Sequence, residues 1–150
     1  MKQKTVVIGL GNELFGDDAV GLLAVRRSAQ IAPGQADYVE TGLHGVALLD
    51  LLIGYEKAII VDAVKTGRHP AGTILDIETG RLNPIDNPSP HFTGIPELIR
   101  LARELNVCFP KEILIVGMEV VNTEDMGTEM TGEVVAALDQ LTERILSHVP

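Results

Sequence analysis

The stretch Thr5-Val6-Val7-Ile8-Gly9-Leu10-Gly11-Asn12 decides the fold. A short β-branched run ending in glycine suits a central parallel strand buried on both faces, and the glycines behind it form a tight exit loop. After Asp17-Asp18, the segment Ala19 to Arg27 carries apolar residues at 20, 23 and 24. That spacing is helical, and both carboxylates lie near the positive N-terminal end. Strand, glycine-rich loop and helix in this order begin a βαβ unit.

The alternation continues outward. Ala36 to Glu40 predicts a second strand closed by Thr41-Gly42, and Val46 to Ile53 is an Ala- and Leu-rich stretch of helix length before Gly54. Lys57-Ala58-Ile59-Ile60-Val61 predicts a buried strand that stops at Asp62, because a carboxylate is hard to place inside a sheet. Gly67, Pro70 and Gly72 leave no room for a crossover helix before Thr73 to Ile77. That segment is therefore expected as an edge strand, antiparallel to its predecessor.

Residues 80–94, GRLNPIDNPSPHFTG, read as a loop without regular structure. Ile95, Leu98, Ile99 and Ala102 share a helical face, Pro96 is tolerated in the first turn, and Ile113 to Val116 supplies a last buried strand. Residues 132–146 carry the stripe of a final helix, with Thr131 expected as its N-cap. The expected fold is a three-layer α/β/α sandwich with a mostly parallel five-stranded sheet, one edge strand antiparallel. Residues 1–150 are expected to form a single domain.

A content of 45% hydrophobic and 22% charged residues is that of a globular chain. Twelve Lys and Arg against 21 Asp and Glu give a net charge of −9, which repels phosphate backbones and argues against a nucleic-acid partner. The aromatic content of 3%, without Trp, offers no base-stacking platform either. A single cysteine, Cys108, excludes an internal disulfide and any multi-cysteine metal site, and it fits a reducing compartment. No signal core follows Met1-Lys2-Gln3-Lys4, and no apolar run approaches the roughly 20 residues of a membrane helix. A cytoplasmic protein without a membrane partner is expected.

Right-handed crossovers place the C-terminal ends of parallel strands on one rim, where ligands bind. Asn12 to Asp18, Thr41 to His44, and Asp62 fall there, and Glu119 and Asn122 follow the last strand. If the proline-stiffened loop folds over the rim, Asp18, Asp62 and His91 combine two carboxylates with an imidazole. That set suits a divalent transition metal with open positions and can support hydrolysis. Taken singly, each has a plainer reading: Asp17 or Asp18 complements a helix dipole, Asp62 caps a turn, and His91 is an exposed loop histidine.

Other chemistries fit less well. Cys108 beside Phe109 and Pro110 reads as apolar packing. Ser89 stands two residues before His91, but no serine elbow surrounds it, which disfavours a triad. A dinucleotide site lacks its third glycine, since Leu14 stands there, and Asp17-Asp18 would repel a pyrophosphate. A phosphoacceptor receiver-like domain with Asp62 as acceptor stays open, although Gly117-Met118-Glu119-Val120 supplies no Lys after the last strand.

Taken together, Gly9-Leu10-Gly11-Asn12 with Asp17-Asp18-Ala19-Val20-Gly21, then Val61-Asp62-Ala63, then Ser89-Pro90-His91, resembles the hydrogenase maturation endopeptidases. The resemblance spans roughly residues 5–146. It implies an enzyme that removes a C-terminal peptide from a NiFe-hydrogenase large-subunit precursor after nickel insertion. The counterparts of Asp18, Asp62 and His91 are implied to be the metal-binding and catalytic set that recognises nickel carried by the precursor, with no organic cofactor. Thr41-Gly42 and Gly45 look like a second loop shaping the cleft. Many members carry Glu where this chain has Asp18, so the reach here is one methylene shorter. A non-proteolytic factor that holds a nickel-loaded partner is the alternative.

Overall fold

In the computed structural model, residues 3–82, 88–127 and 129–150 are described. The β-branched run forms β1 (Thr5–Leu10), every residue of which is buried. Its side chains alternate as a pleated strand requires: Val7 joins one apolar cluster, while Val6 and Ile8 join the other. The remaining elements are α1 (Val20–Ile31), β2 (Asp37–Thr41), α2 (Leu49–Leu52), β3 (Lys57–Val64), β4 (Ile74–Ile77), α3 (Ile95–Leu105), β5 (Glu112–Glu119) and α4 (Gly132–Ser147).

The strands form one sheet in the order β2-β1-β3-β5-β4. The first four are mutually parallel, and β4 pairs antiparallel with β5. On one face α1 and α4 pack through Val20, Ala24, Leu138 and Leu141 onto Val7, Ile59, Val61 and Val116. On the other, Leu48, Leu52, Ile95 and Leu98 cover Val6, Ile8, Ile60 and Ile115. This is the three-layer α/β/α arrangement expected from the alternating pattern.

Three expectations are corrected and one is sharpened. The third strand does not stop at Asp62 but continues to Val64, with Asp62 opposite Gly117 in the ladder. A carboxylate is tolerated there because side chains of the loop before α3 come to meet it. The edge strand runs antiparallel to its predecessor as expected, and the structure adds that its neighbour is β5, because β5 occupies the free side of β3 along eight residue pairs. The segment read as structureless contains short 3-10 turns at Thr79–Arg81 and Pro90–Phe92, while residues 83–87 lie outside the described residues. Thr131 occupies the N-cap position of α4 but makes no side-chain capping bond; its hydroxyl donates to Asp17.

From β1 the chain passes through α1 to β2, then crosses back over β1 to β3 and on to β5. The direction of travel reverses between β1 and β3, the place where open α/β sheets build ligand crevices. Among the described residues, no helix is long and apolar enough to cross a membrane.

Candidate metal centre

Two adjacent aspartates leave β1 in a 3-10 turn, Gly16–Ala19, and point to different places. Asp17 is fully buried and faces the loop between β5 and α4. Its Oδ2 accepts from the backbone N–H groups of Val121 (3.1 Å) and Asn122 (3.0 Å) and from the Thr131 hydroxyl (2.7 Å), and its Oδ1 accepts from Thr131 N–H at 2.6 Å. Burial pushes its carboxyl pKa up, but these donors outweigh burial and hold it below the ordinary value. Asp17 therefore ties two loops together.

Asp18 faces the crevice. Close backbone approach brings it there: a Cβ on Gly11 would lie 2.1 Å from the Asp18 carbonyl oxygen, and one on Gly21 would lie 2.7 Å from the Val61 oxygen and 3.2 Å from Asp62 Cα. Side chains at either position would push the start of α1 off the sheet and away from Asp62.

Asp62 lies in β3 with no solvent exposure. Its Oδ2 accepts from the Ser89 hydroxyl and is 3.0 Å from His91 Nδ1, which itself lies 3.3 Å from Ser89 Oγ. Ser89 opens the turn that carries His91: the His91 N–H donates back to Ser89 Oγ, and Pro90 fixes the first helical position. Asp62 Oδ1 is buried and has no hydrogen-bond partner among the described residues.

These placements unite the three expected ligands. One ligand atom each from Asp18, Asp62 and His91 lie within 4.8 Å of one another. A cavity of about 320 Å³ opens over them, with Gly11, Asn12, Asp18, Lys65, Ser89 and His91 in its wall. Burial first, and then the charge of Asp62, raises the Asp18 carboxyl to about 6. Burial likewise raises Asp62, opposed by His91 and Ser89. The hydrogen bond to Asp62 raises His91 against the effect of its own burial. Two carboxylates crowded at one place resist carrying their charges together, and a divalent cation would relieve them.

The residues expected nearby divide. Gly42 lines the cavity, and the His44 ring lies beside that of His91. Glu119 is buried outside the cluster, accepting from Thr66 and Gly67 N–H, so it braces the β3–β4 connection. Asn122 organises its own loop by accepting from Glu124 and Asp125 N–H. Ser89 is the residue sequence reasoning set aside. Its hydroxyl hydrogen is directed at a carboxylate, so it positions Asp62 and His91. The Ser-Pro-His tripeptide, with Pro starting a turn and Ser able to accept from the next N–H but one, was the available signal.

Comparison with known proteins gives one consistent result. The family model for hydrogenase maturation protease matches residues 23–148. A hydrogenase expression/formation protein, HupD, of Bradyrhizobium diazoefficiens is 31% identical over 134 residues, covering 85% of this chain and 68% of the relative. The hydrogenase 2 maturation protease of Escherichia coli is 25% identical over 148 residues, covering 96% and 89%. Among solved structures, the hydrogenase maturating endopeptidase HybD from E. coli superposes with a TM-score of 0.78 at 27% identity, covering 98% of this chain and 91% of that one. The NiFe-hydrogenase maturation protease HybD from Thermococcus kodakarensis gives 0.77 at 25% identity, with both chains fully covered.

Proposed function

The chain belongs to the hydrogenase maturation protease family, and from that premise we propose that it removes the C-terminal extension of a NiFe-hydrogenase large-subunit precursor once nickel is in place, reading the ion with Asp18, Asp62 and His91. The observation that carries this reading is the buried Oδ1 of Asp62, without a hydrogen-bond partner among the described residues, grouped with a second carboxylate and an imidazole. Such an oxygen is unfavourable in an apolar wall unless a donor or cation reaches it. The set fits nickel, which accepts imidazole nitrogen together with oxygen ligands.

With Nδ1 of His91 committed to Asp62, Nε2 is the nitrogen offered to the ion. The nickel arrives as part of the substrate, already held by thiolates of the precursor, so the precursor completes the site. Docking through the ion brings the scissile amide into the cavity. Water then adds to the carbonyl carbon as Asp18 accepts its proton, and Asp18 returns that proton to the amide nitrogen as the C–N bond breaks. Asp62 and Ser89 hold His91 in orientation. The free cysteine Cys108 fits a reducing compartment, and we place the reaction in the cytoplasm.

The test is to incubate the purified chain with nickel-loaded precursor and with a nickel-free control, and to read both masses. Loss of a C-terminal peptide from the loaded form alone is the expected result. Equal cleavage of both removes the role assigned to nickel, and a stable complex with unchanged mass replaces the protease with a holding factor.

A further inference from the structure

His44 stands outside the three-residue set, on the segment joining β2 to the turn at Gly45–Leu48. It is exposed, and its ring meets that of His91 edge-on, with centroids 6.3 Å apart and planes inclined at 61°. A backbone clamp distinguishes this pair from two surface rings that happen to be close. Gly45 has φ +59°, and a Cβ there would lie 2.3 Å from the Thr93 carbonyl oxygen and 3.7 Å from Gly94 Cα. The residue after His44 is thus pressed, backbone to backbone, onto the segment two residues beyond His91, and only glycine fits. Leu43 N–H donates to Thr41 Oγ1 on the other side of His44, fixing the bend from β2.

Two imidazoles on one ion, each with its nitrogen about 2.0–2.1 Å from the metal, have ring centroids roughly 4.5–5.5 Å apart. The observed separation therefore needs to close by roughly 1 Å, which a rotamer adjustment of an exposed side chain provides. We propose that His44 is a fourth ligand, completing a set of two carboxylates and two imidazoles. This rests on the reading of Asp18, Asp62 and His91 as ion ligands given above. A second nitrogen donor shifts the preference of the cleft toward nickel, cobalt or zinc and away from magnesium or calcium. The cleft would then discriminate against a precursor carrying the wrong ion.

The experiment uses the full chain carrying His69→Gln and His148→Gln, the two histidines outside the His44–His91 ring pair. Nickel ion alone is titrated against a chromophoric chelator, and pulsed electron paramagnetic resonance of the copper(II)-loaded protein counts coordinated imidazoles. The expected count is two, falling to one in His44→Ala, with nickel affinity reduced at least about tenfold. A count of one in the parent, or unchanged affinity in His44→Ala, overturns the fourth ligand and leaves the three-residue site standing. Failure of Asp62→Asn to weaken nickel uptake, or no uptake by the parent, removes that underlying site and this inference with it. The count in the parent decides the question even if the variant does not fold.

Discussion

Asp17 and Asp62 are both fully buried carboxylates at the same rim of the sheet, and they are treated in opposite ways. Asp17 accepts four hydrogen bonds from Val121, Asn122 and Thr131, which stabilise its charge and keep its pKa low. Asp62 has one oxygen occupied by Ser89 and His91 and the other without a partner among the described residues, and burial raises its pKa. The difference separates a structural acid from a poised one. A buried charge whose lone pairs are filled by fixed donors has no capacity left for a ligand, whereas one left half-satisfied retains lone pairs that a donor or cation can take up.

Replacing each acid by its amide breaks this comparison in different currencies. Asp62→Asn should lower processing of nickel-loaded precursor by more than about a hundredfold, since loss even of an outer-shell partner costs up to that much. Circular dichroism should show the fold unchanged. Retention of processing would refute the ligand role.

Asp17→Asn should do the reverse. It replaces an accepting oxygen with a donor facing Thr131 N–H, so denaturant unfolding should show a loss of about 2–4 kcal/mol. The protein that remains folded should still process precursor. Unchanged stability would mean that the loop from β5 to α4 does not depend on this carboxylate.

Asp18 gives the smallest and most diagnostic effect. Its pKa is 3.8 in the unfolded reference and about 6 in the fold, so the folded state holds the proton more tightly. Its stabilising contribution is fully present below the unfolded value and is lost as pH rises through about 6. Asp18→Asn should therefore gain melting temperature relative to the parent as pH rises from about 4 to 6, with the gain levelling off above that. Melting temperatures that shift in parallel over that range would show that burial and Asp62 do not raise the Asp18 carboxyl.

Much of the fold was legible because its signals are local. The β-branched runs at 5–8 and 57–61 and the apolar stripe of 132–146 each encode their own periodicity, and the handedness of crossovers then assigns a rim. The end of β3 was misjudged at Asp62 because sequence shows the cost of burying a carboxylate, not the Ser89 and His91 side chains that come to meet it. The same limit hid the pairing of β4 with β5, which depends on which strand edges remain free after assembly. For the site, the residue types and their order were readable, and the resemblance to a family grouped them. The use of Ser89 as a positioning hydroxyl and of Asp17 as a loop tie was not.

Sequence by itself determined the elements, their alternation and the set of side chains able to bind an ion, because propensity, periodicity and donor chemistry belong to residues and their near neighbours. Tertiary structure alone decided that positions 18, 62 and 91 share a space of 4.8 Å, with the neighbouring Asp17 turned away from it. Successive side chains on a 3-10 turn diverge by roughly 120°, so only one of the pair can face the crevice. Which one does so is fixed by the donors that the loop from β5 brings to the other.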